Sequence, residues 1–496
     1  MTPIRKVLLA QLPIPQLSYP KRTGNIPLAA ACLKQAAETA SRSSVEILPE
    51  RAAAYLGDAA LVDAVIAREP DVVGFTVFSW NVMRTLHIAG ELRRRRPVRI
   101  LFGGPEVTPD NPLVRSPAVD FRAYGDGEAL FQRLLRDPSA WSRKEGAEDA
   151  EALFLAAPSP YVAGCLDPGI EAVMFIETQR GCPYRCGYCF YGKNRRRIAA
   201  VPAETVLEGV RWARDRRVPE VFLLDPSLNA RAGLRGLLDE IAGINRGRRI
   251  AFQSEIRAEA VDRGLAERFA RAGFTEFEIG LQTTTPEALR LMNRPMDLER
   301  FLAGLGHLRQ AGIRPKIDLI LGLPGDTPDG FRRSVDFVAE NGLADDIQVF
   351  FLSVLPGTPF RRSHHSLGLV FDPRPPYTVQ ETPAFSPGAL ADAWIYAEDA
   401  FDISLSPGPD LDLAYRGHPA PGPHPACRRV SGMTTFSDGA GIFKVILNGP
   451  CAGERLARIR RRLTHPYQVF FLPGSGGRRF MAEALGIVTR AHPPTP

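Results

Sequence analysis

The sequence predicts an α/β protein with an amino-terminal doubly wound sheet, a central full or partial barrel of parallel strands, and a smaller α+β carboxyl-terminal region. A chain of 496 residues exceeds what one hydrophobic core usually covers, so we expect several domains. Strand and helix patterns alternate over about the first 135 residues and again from about residue 171. Such alternation indicates parallel sheets covered by helices.

The first domain is expected over residues 1–137. Buried strands are predicted at Lys6–Leu12 and Asp71–Phe78, and amphipathic helices at Ile26–Glu38 and Val82–Leu92. This order is typical of a Rossmann-like domain, which binds ligands at the carboxyl ends of its strands.

Residues 138–170 are charged and then rich in proline and glycine, which predicts a linker. Residues 171–360 contain six or more strand and helix units without a reversal, which predicts a TIM-type (β/α) barrel with its active end at the carboxyl ends of the strands. Residues 361–496 are expected to form a substrate or lid region.

The composition excludes several classes of protein. The net charge of +7 comes largely from arginine runs, which are more often solvated helix faces than nucleic-acid sites, so we infer no nucleic-acid binding. The start of the chain has no secretory signal pattern, and no window reaches about 18 uninterrupted apolar residues, so we expect a cytoplasmic protein that does not bind a membrane. Seven cysteines in a reducing compartment favour metal binding or reactivity over disulfides.

Three cysteines, Cys182, Cys186 and Cys189, fall within eight residues in the stretch TQRGCPYRCGYCFYGKNRRR. They directly follow a predicted strand, so they lie at the active end of the barrel. A closed structural zinc site would need a fourth ligand and usually a second CxxC pair, which is missing. Three thiolates can instead hold a 4Fe-4S cluster that leaves one iron open to a ligand.

This CxxxCxxC loop, with Tyr188 before and Phe190 after its last cysteine, resembles the radical S-adenosylmethionine (SAM) superfamily. The resemblance implies that the three cysteines bind a 4Fe-4S cluster whose open iron chelates the amino and carboxylate groups of SAM. An electron from the cluster then cleaves SAM to a 5'-deoxyadenosyl radical.

Other predicted strand ends between residues 171 and 360 match the same family, and the resemblance implies cofactor contacts at them. Asp225 is expected to meet the methionine end of SAM, while Ser254, Glu255 and Arg257 are expected to contact its ribose and carboxylate. Gln282 and Gly322, at the ends of the fourth and fifth strands, are also expected to contact the cofactor. Glycine there lets the backbone approach the adenine.

The first domain resembles the cobalamin-binding domain of one large class of radical SAM enzymes, through stretches such as VVGFTVFSWNVMRTLHIAGEL and ILFGGPEVT. It has no DxHxxG loop, and its only histidine, His87, lies in a predicted helix. The resemblance therefore implies either cobalamin without a protein histidine on cobalt or a domain that has lost the cofactor. The residues expected to line its nucleotide side are Ser79, Trp80, Asn81, Gly103, Gly104 and Glu106.

The resemblance implies a cobalamin-dependent radical SAM methyltransferase that methylates an unactivated carbon of a small-molecule or peptide substrate, with flavodoxin or ferredoxin as electron donor. The alternatives are a non-methylating radical SAM enzyme, such as a cyclase, a rearrangement enzyme or an aminocarboxypropyl transferase, and a non-catalytic metal or cobalamin sensor. No catalytic residue is predicted, and Cys427 and Cys451 receive no role.

Overall fold

The computed structural model describes residues 3–13, 25–56, 58–169, 172–191, 197–403 and 405, together with four strands between residues 428 and 472. The chain divides into two compact units, Met1–Ala150 with Ser406–Pro496, and Glu151–Leu405. The four domain ranges expected from the sequence differ from these two units in number and boundaries, and they stay a prediction.

The first unit contains a six-stranded sheet. Its strands are β1 (Lys6–Gln11), β2 (Ser44–Ile47), β3 (Val72–Thr76), β4 (Arg99–Gly103), β5 (Phe121–Ala123) and β6 (Glu145–Gly146). They are ordered β2-β1-β3-β4-β5-β6, and every neighbouring pair is parallel. The chain extends the sheet first to one side of β1 and then to the other, which confirms the doubly wound prediction and places a topological switch point between β1 and β3.

Helices cover both faces of this sheet. They are α1 (Leu28–Glu38), α2 (Glu50–Tyr55), α3 (Asp58–Ile66), α4 (Val82–Arg95) and α5 (Glu128–Arg136). Leu8 and Phe75 pack with α3 and α4 on one face, while Leu101 and Phe121 pack with α1 and α5 on the other. Each strand thus buries side chains on both faces, which explains its nearly continuous apolar sequence.

Part of the segment predicted as a linker is ordered structure. Strand β6 extends the first sheet, a 3-10 helix spans Pro138–Arg143, and α6 covers Glu151–Ala156. Trp141 explains the difference, because its ring packs on Phe121 and its indole nitrogen donates to the carbonyl of Leu134 at 3.1 Å. Burial of this one large aromatic side chain outweighs the charged residues around it.

The second unit contains a six-stranded parallel sheet and a two-stranded antiparallel ribbon. The strands are β7 (Val173–Ile176), β8 (Gln179–Arg180), β9 (Ala199–Ala200), β10 (Glu220–Leu223), β11 (Ala251–Glu255), β12 (Phe274–Gln282), β13 (Arg314–Leu321) and β14 (Ile347–Phe351). The sheet order is β14-β13-β12-β11-β10-β7, while β8 and β9 form the ribbon. In the described part of the chain β7 and β14 are not paired, so the barrel prediction holds in its partial form.

Helices cover the convex side of this partial barrel, namely α7 (Ala203–Asp215), α8 (Leu234–Ile244), α9 (Arg263–Ala272), α10 (Pro286–Leu291), α11 (Leu298–Gln310) and α12 (Pro328–Glu340). Phe277 of β12 packs against Phe269 of α9, with ring centroids 4.6 Å apart. Because side chains alternate along a strand, Glu276 and Glu278 lie on the opposite, concave face. We call this concave face the lumen.

A short region packs on the end of the barrel after β14. It comprises α13 (Pro359–Arg362), β15 (Val370–Phe371), β16 (Val379–Glu381) and α14 (Pro387–Phe401). Helices α12, α13 and α14 each begin with proline after a Ser or Thr whose hydroxyl accepts a backbone hydrogen bond. This combination satisfies a free N–H and presets the first helical φ.

Four strands near the end of the chain form a mixed sheet, namely β17 (Arg428–Val430), β18 (Met433–Ser437), β19 (Phe443–Asn448) and β20 (Tyr467–Leu472). Cys427 and Cys451 lie outside the described residues. None of the described helices is long and apolar enough to cross a membrane.

Candidate functional site

The cysteine loop leaves the end of β7 and is closed at its base by the ribbon of β8 and β9. Gln179 pairs with Ala200 and Arg180 with Ala199. The N–H of Val201 adds a hydrogen bond to the carbonyl of Thr178 at 2.9 Å. These contacts hold the two ends of the loop together independently of its cysteines.

Asp225, at the end of β10, fixes the start of the loop. Its carboxylate accepts hydrogen bonds from the N–H and hydroxyl of Thr178 at 3.0 and 2.5 Å and from the N–H of Gln179 at 2.9 Å. Burial nevertheless raises its pKa to about 6. Its oxygens are occupied by the protein, so Asp225 acts in this structure as a positioning residue, and its predicted contact with SAM stays a prediction.

Arg231 fixes the same base from the other side. Its guanidinium donates to the carbonyls of Thr178 and Val201, which belong to the two ends of the loop. Burial lowers the pKa of Arg231, and nearby Asp225 opposes that change. The sequence analysis did not identify Arg231, because the two carbonyls it joins are far from it in the chain.

The three thiols of the loop influence one another electrostatically. Cys186 is buried, while Cys182 and Cys189 are half-buried. Burial raises the pKa of Cys182, and burial together with the two other cysteines raises that of Cys189 to about 11. The backbone N–H groups of Tyr184 and Tyr191 face the sulfurs of Cys182 and Cys189, respectively, and oppose these increases.

Arg294 brings a positive charge to this group of thiols. Its Nη1 atom donates to the sulfur of Cys186 at 3.8 Å, and its Nη2 atom donates to the carbonyl of Gly280. Burial lowers the pKa of Arg294, but Tyr188 and Cys186 beside it raise the pKa above the usual range. Arg294 follows α10. It was not predicted from the sequence, because the stretch LMNRP resembles an ordinary helix end followed by proline.

The middle of the loop is anchored at Gly187. Its N–H donates to the carbonyl of Met292 at 2.8 Å, and its carbonyl accepts from the N–H of Phe360 at 2.9 Å. A Cβ at Gly187 would lie 2.4 Å from the ring of Phe360, so only glycine fits this close approach. The aromatic residues predicted beside the cysteines, Tyr188 and Phe190, are both half-buried.

The three thiols of the loop suit an iron-sulfur cluster by ligand type. Among the described residues no three His, Cys, Asp or Glu side chains are placed to hold one metal ion. A 4Fe-4S cluster binds each thiolate at a different iron, so it needs three converging sulfurs rather than one shared centre. Bound iron would keep the thiols deprotonated. It would therefore oppose the effect of burial, which raises the thiol pKa values.

The residues predicted after β11 are divided between two faces. Ser254 is buried and donates its hydroxyl to the carbonyl of Leu223 at 2.8 Å, while Glu255 lies on the lumen face. Arg257 donates to Glu259 and to the carbonyl of Pro295, both at 2.8 Å, and lies over the ring of Tyr184 at 4.3 Å. Arg257 thus supports the cysteine loop, and the predicted SAM contacts of Ser254, Glu255 and Arg257 stay predictions.

The predicted glycine at the fifth strand end has a packing role. Gly322 has φ +84°, and a Cβ there would lie 2.7 Å from the side chain of Val379 in β16. The segment after the barrel therefore occupies the side of Gly322 where a side chain would lie, and its predicted contact with adenine stays a prediction. Gln282 has φ +70° at a bulge in β12.

In the first unit, the loops after β3 and β4 interlock at the carboxyl edge of the sheet. A Cβ at Gly104 would lie 2.7 Å from the carbonyl oxygen of Val77, and Val77 N–H donates to Gly103 O at 2.7 Å. Glu106 is buried, and its carboxylate accepts from Asn111 at 3.1 Å. Gly103, Gly104 and Glu106 thus help to shape the edge, and their predicted contacts with cobalamin stay predictions.

The loop after β3 presents an aromatic surface at the same edge. Trp80 is 43% exposed and stacks on Phe78 with ring centroids 4.2 Å apart. Asn81 is buried and ties this loop to β1 by donating to the carbonyl of Leu12 at 2.9 Å. Ser79 is half-buried, so Ser79 and Trp80 are the more accessible of the predicted residues here.

His87 lies in α4, where it contacts Asp58 at the start of α3. Its Nε2 lies 3.8 Å from Asp58 Oδ2, and Arg84 donates to the other oxygen of Asp58 at 3.0 Å. These residues join α3 to α4 in the helical layer. Binding of cobalamin without a protein histidine on cobalt stays a prediction. The carboxyl edge, with its interlocked turns and exposed indole, fits a large flat cofactor.

Two family models match the chain. The model of the radical SAM superfamily matches residues 176–338, which include the three cysteines. The model of the B12 binding domain matches residues 25–135, which include β2 to β5. Together the two domains imply a 4Fe-4S cluster, SAM and cobalamin as cofactors, which confirms the expectation from the sequence.

Two relatives are methyltransferases by name. The 2-(S-pantetheinyl)-carbapenam-3-carboxylate methyltransferase of Streptantibioticus cattleyicolor is 27% identical over 59% of this chain and 48% of that protein. The cobalamin-dependent radical SAM methyltransferase TokK of Streptomyces tokunonensis is 27% identical over 60% of this chain and 49% of TokK. The match thus spans about half the length of these relatives.

A solved structure supports the fold over most of the chain. The radical SAM methyltransferase TsrM from Kitasatospora setae, with cobalamin and a 4Fe-4S cluster bound, superposes with a TM-score of 0.63 at 19% identity. The superposition covers 84% of this chain and 96% of TsrM. This chain thus contains a radical SAM domain and, ahead of it, a B12-binding domain.

Proposed function

We propose that this protein is a cobalamin-dependent radical SAM methyltransferase acting on an unactivated carbon of a small-molecule or peptide substrate. The observation that carries the proposal is the cysteine loop, held at its base by Asp225 and Arg231 and presenting three thiols beside Arg294, in a chain that also has a B12-binding domain. SAM and cobalamin supply the methyl group in this chemistry, and the reduced cluster supplies the electron that generates the radical from SAM.

The residues of the loop have separate roles in the proposal. Cys182, Cys186 and Cys189 would hold the cluster. Arg294 would donate a hydrogen bond to one cluster sulfur and place a positive charge beside it, which favours the reduced state. Asp225 would keep the loop in position through its three hydrogen bonds. In the first unit, Ser79 and Trp80 would contact cobalamin at the carboxyl edge of the sheet.

The electron donor and the cellular compartment are both inferred from the cluster. A low-potential cluster needs a reductant such as flavodoxin or ferredoxin, and we infer one of these as the partner. A cluster held by three free thiols is suited to a reducing compartment, which favours the cytoplasm.

The proposal is tested on protein produced anaerobically with hydroxocobalamin. We expect about four irons and about one cobalt per chain, cleavage of SAM on reduction, and transfer of a deuterated methyl group from SAM to the substrate. SAM cleavage with no methyl transfer to any accepted substrate would contradict the methyltransferase and favour a cyclase, a rearrangement enzyme or an aminocarboxypropyl transferase. Absence of any SAM cleavage would favour the non-catalytic sensor.

A further inference from the structure

Three carboxyl groups of the lumen, those of Glu255, Glu278 and Asp318, lie on neighbouring strands. In the strand register Glu255 of β11 lies beside Glu278 of β12, and Glu278 lies beside Lys316 of β13. Asp318 is two residues further along β13, on the same face as Lys316. Directly opposed side chains on adjacent strands are close enough to share one small ligand group.

The single lysine of this group, Lys316, opposes the effect of burial on the pKa of Glu278 and Asp318, but one positive charge does not balance three carboxyl groups. With the Gln348 amide oriented to satisfy both neighbours, its nitrogen donates to Asp318 at 3.2 Å and its oxygen accepts from Lys316 Nζ at 2.5 Å. Glu255 and Glu278 make no hydrogen bond or ion pair within the described residues. Two half-buried carboxyl groups that face each other on adjacent strands repel when ionised, so a bound cation would stabilise them.

Gln282 is a separate observation that indicates a ligand in the same place. It is 8% exposed, and its Oε1 atom has no hydrogen-bond partner among the residues that the structure describes. A bulge between Gly280 and Gln282 and the left-handed φ of +70° turn its amide back over Gly280, where a Cβ would lie 2.0 Å from Nε2. Gly280 and Glu278 share the lumen face, so the amide lies on the lumen side of β12, where the Nη2 atom of Arg294 also approaches Gly280. Strained residues and bulges of this kind cluster at ligand sites.

The adjoining part of the lumen is apolar. Phe175 of β7 and Phe222 of β10 are neighbours in register, with ring centroids 6.0 Å apart. Met174 and Ile176 lie close to Gly209 of α7, so Phe175 between them is on the lumen face. The lumen thus combines an aromatic wall with an acidic one.

We propose that the lumen binds a substrate with an apolar body and a protonated primary amine, held by Glu255, Glu278 and the amide oxygen of Gln282. An ammonium group has three N–H donors and no acceptor, which matches three unpartnered acceptors. This deepens the proposed function and rests on it. It also assigns Glu255 and Gln282, which resemblance alone placed at SAM, to the substrate.

The test uses the reconstituted holoenzyme with SAM and three probes of similar size: 2-phenylethylamine, 2-phenylethanol and 3-phenylpropionate. Calorimetric titration is expected to show the amine binding at least about tenfold more tightly than either other probe, because a paired buried charge contributes more than a neutral hydrogen bond. The variants E255Q, E278Q and Q282L should each reduce this preference. Equal binding of amine and alcohol, or a preference that survives both E255Q and E278Q, would overturn the assignment.

Controls separate this inference from the proposed function. Glu299 is exposed on α11, so Glu299→Gln removes one negative charge outside the lumen and should keep the amine preference. SAM affinity is measured in the same variants. If Glu278→Gln weakens SAM and amine equally, the acidic wall binds SAM and the inference fails. If wild-type holoenzyme does not cleave SAM, the proposed function fails whatever the amine result.

Discussion

Arg294 donates to the sulfur of Cys186 across 3.8 Å and is buried against the thiol group, with a second hydrogen bond to the carbonyl of Gly280. The two residues are 108 positions apart in the chain. This contact joins the cysteine loop to the end of β12 and gives the cluster site a fixed positive charge.

Replacing Arg294 by glutamine should lower the rate of reductive SAM cleavage by about 10- to 100-fold, as for other residues that support metal ligands. The cluster potential should become more negative, because the variant loses a positive charge beside a sulfur ligand. An EPR-monitored redox titration and a cleavage assay measure both effects. Arg290→Gln, at a 67% exposed side chain on α10, is the matched control. An unchanged potential in the Arg294 variant would refute the role.

Replacing any one of Cys182, Cys186 and Cys189 by alanine should abolish SAM cleavage. The iron content should fall from about four per chain to a small fraction of that. The reason is that two thiolates cannot retain the cluster stably. Iron analysis and the visible absorption spectrum check the result. Cys32→Ala, in α1 of the other unit, should retain full iron. Full iron retention in any of the three loop variants would show that the loop does not hold the cluster.

Alanine at Gly187 should destabilise the loop by about 1–3 kcal/mol, because the new methyl group would overlap the ring of Phe360. Lower iron incorporation and a lower melting temperature are expected. The double variant Gly187→Ala with Phe360→Leu should recover part of the iron, since leucine can vacate the space. If the double variant loses as much iron as the two single variants lose together, the overlap is not the cause.

Asparagine at Asp225 should cost about 1–3 kcal/mol, because one amide oxygen cannot replace two carboxylate oxygens that accept three hydrogen bonds. The loop base should loosen, so hydrogen exchange at Thr178 and Gln179 should become faster. Asp392→Asn, at an exposed position of α14, is the control and should leave exchange unchanged. Unaltered exchange in both variants would contradict the positioning role.

Asparagine at Asp318 should make stability less dependent on pH. Burial, with Glu278 nearby, raises the pKa of Asp318 to about 8 in the folded protein. The unfolded chain ionises at the ordinary pKa of 3.8, so the folded state binds more protons and stability falls as pH rises from about 4 to about 8. The variant should match wild type at about pH 4 and exceed it at about pH 9, by on the order of 3 kcal/mol.

Melting temperatures of ligand-free wild type and variant across this range test the effect. Asp329→Asn, at an exposed position in the first turn of α12, is the control and should follow the wild-type curve. Parallel curves for wild type and Asp318→Asn would show that Asp318 is ionised in the folded protein.

The cysteine loop and the strand order could be predicted because both depend on local pattern. A CxxxCxxC spacing directly after an apolar strand specifies the ligands, and alternating strand and helix patterns specify parallel sheets. Arg231, Arg294 and Phe360 could not be predicted, because each acts on the loop through a contact made only after folding. Trp141 likewise anchors a segment whose composition resembles a linker.

The sequence by itself determined the cofactor class, the two parallel sheets and the position of the cysteine loop, since short-range spacing and periodicity carry that information. Only the tertiary structure decided that Asp225 supports the loop, that Gly322 is covered by Val379, and that Glu255, Glu278 and Asp318 share the lumen face. The reason is strand register: it brings distant residues together, and burial then determines which polar groups find partners and which remain available for a ligand.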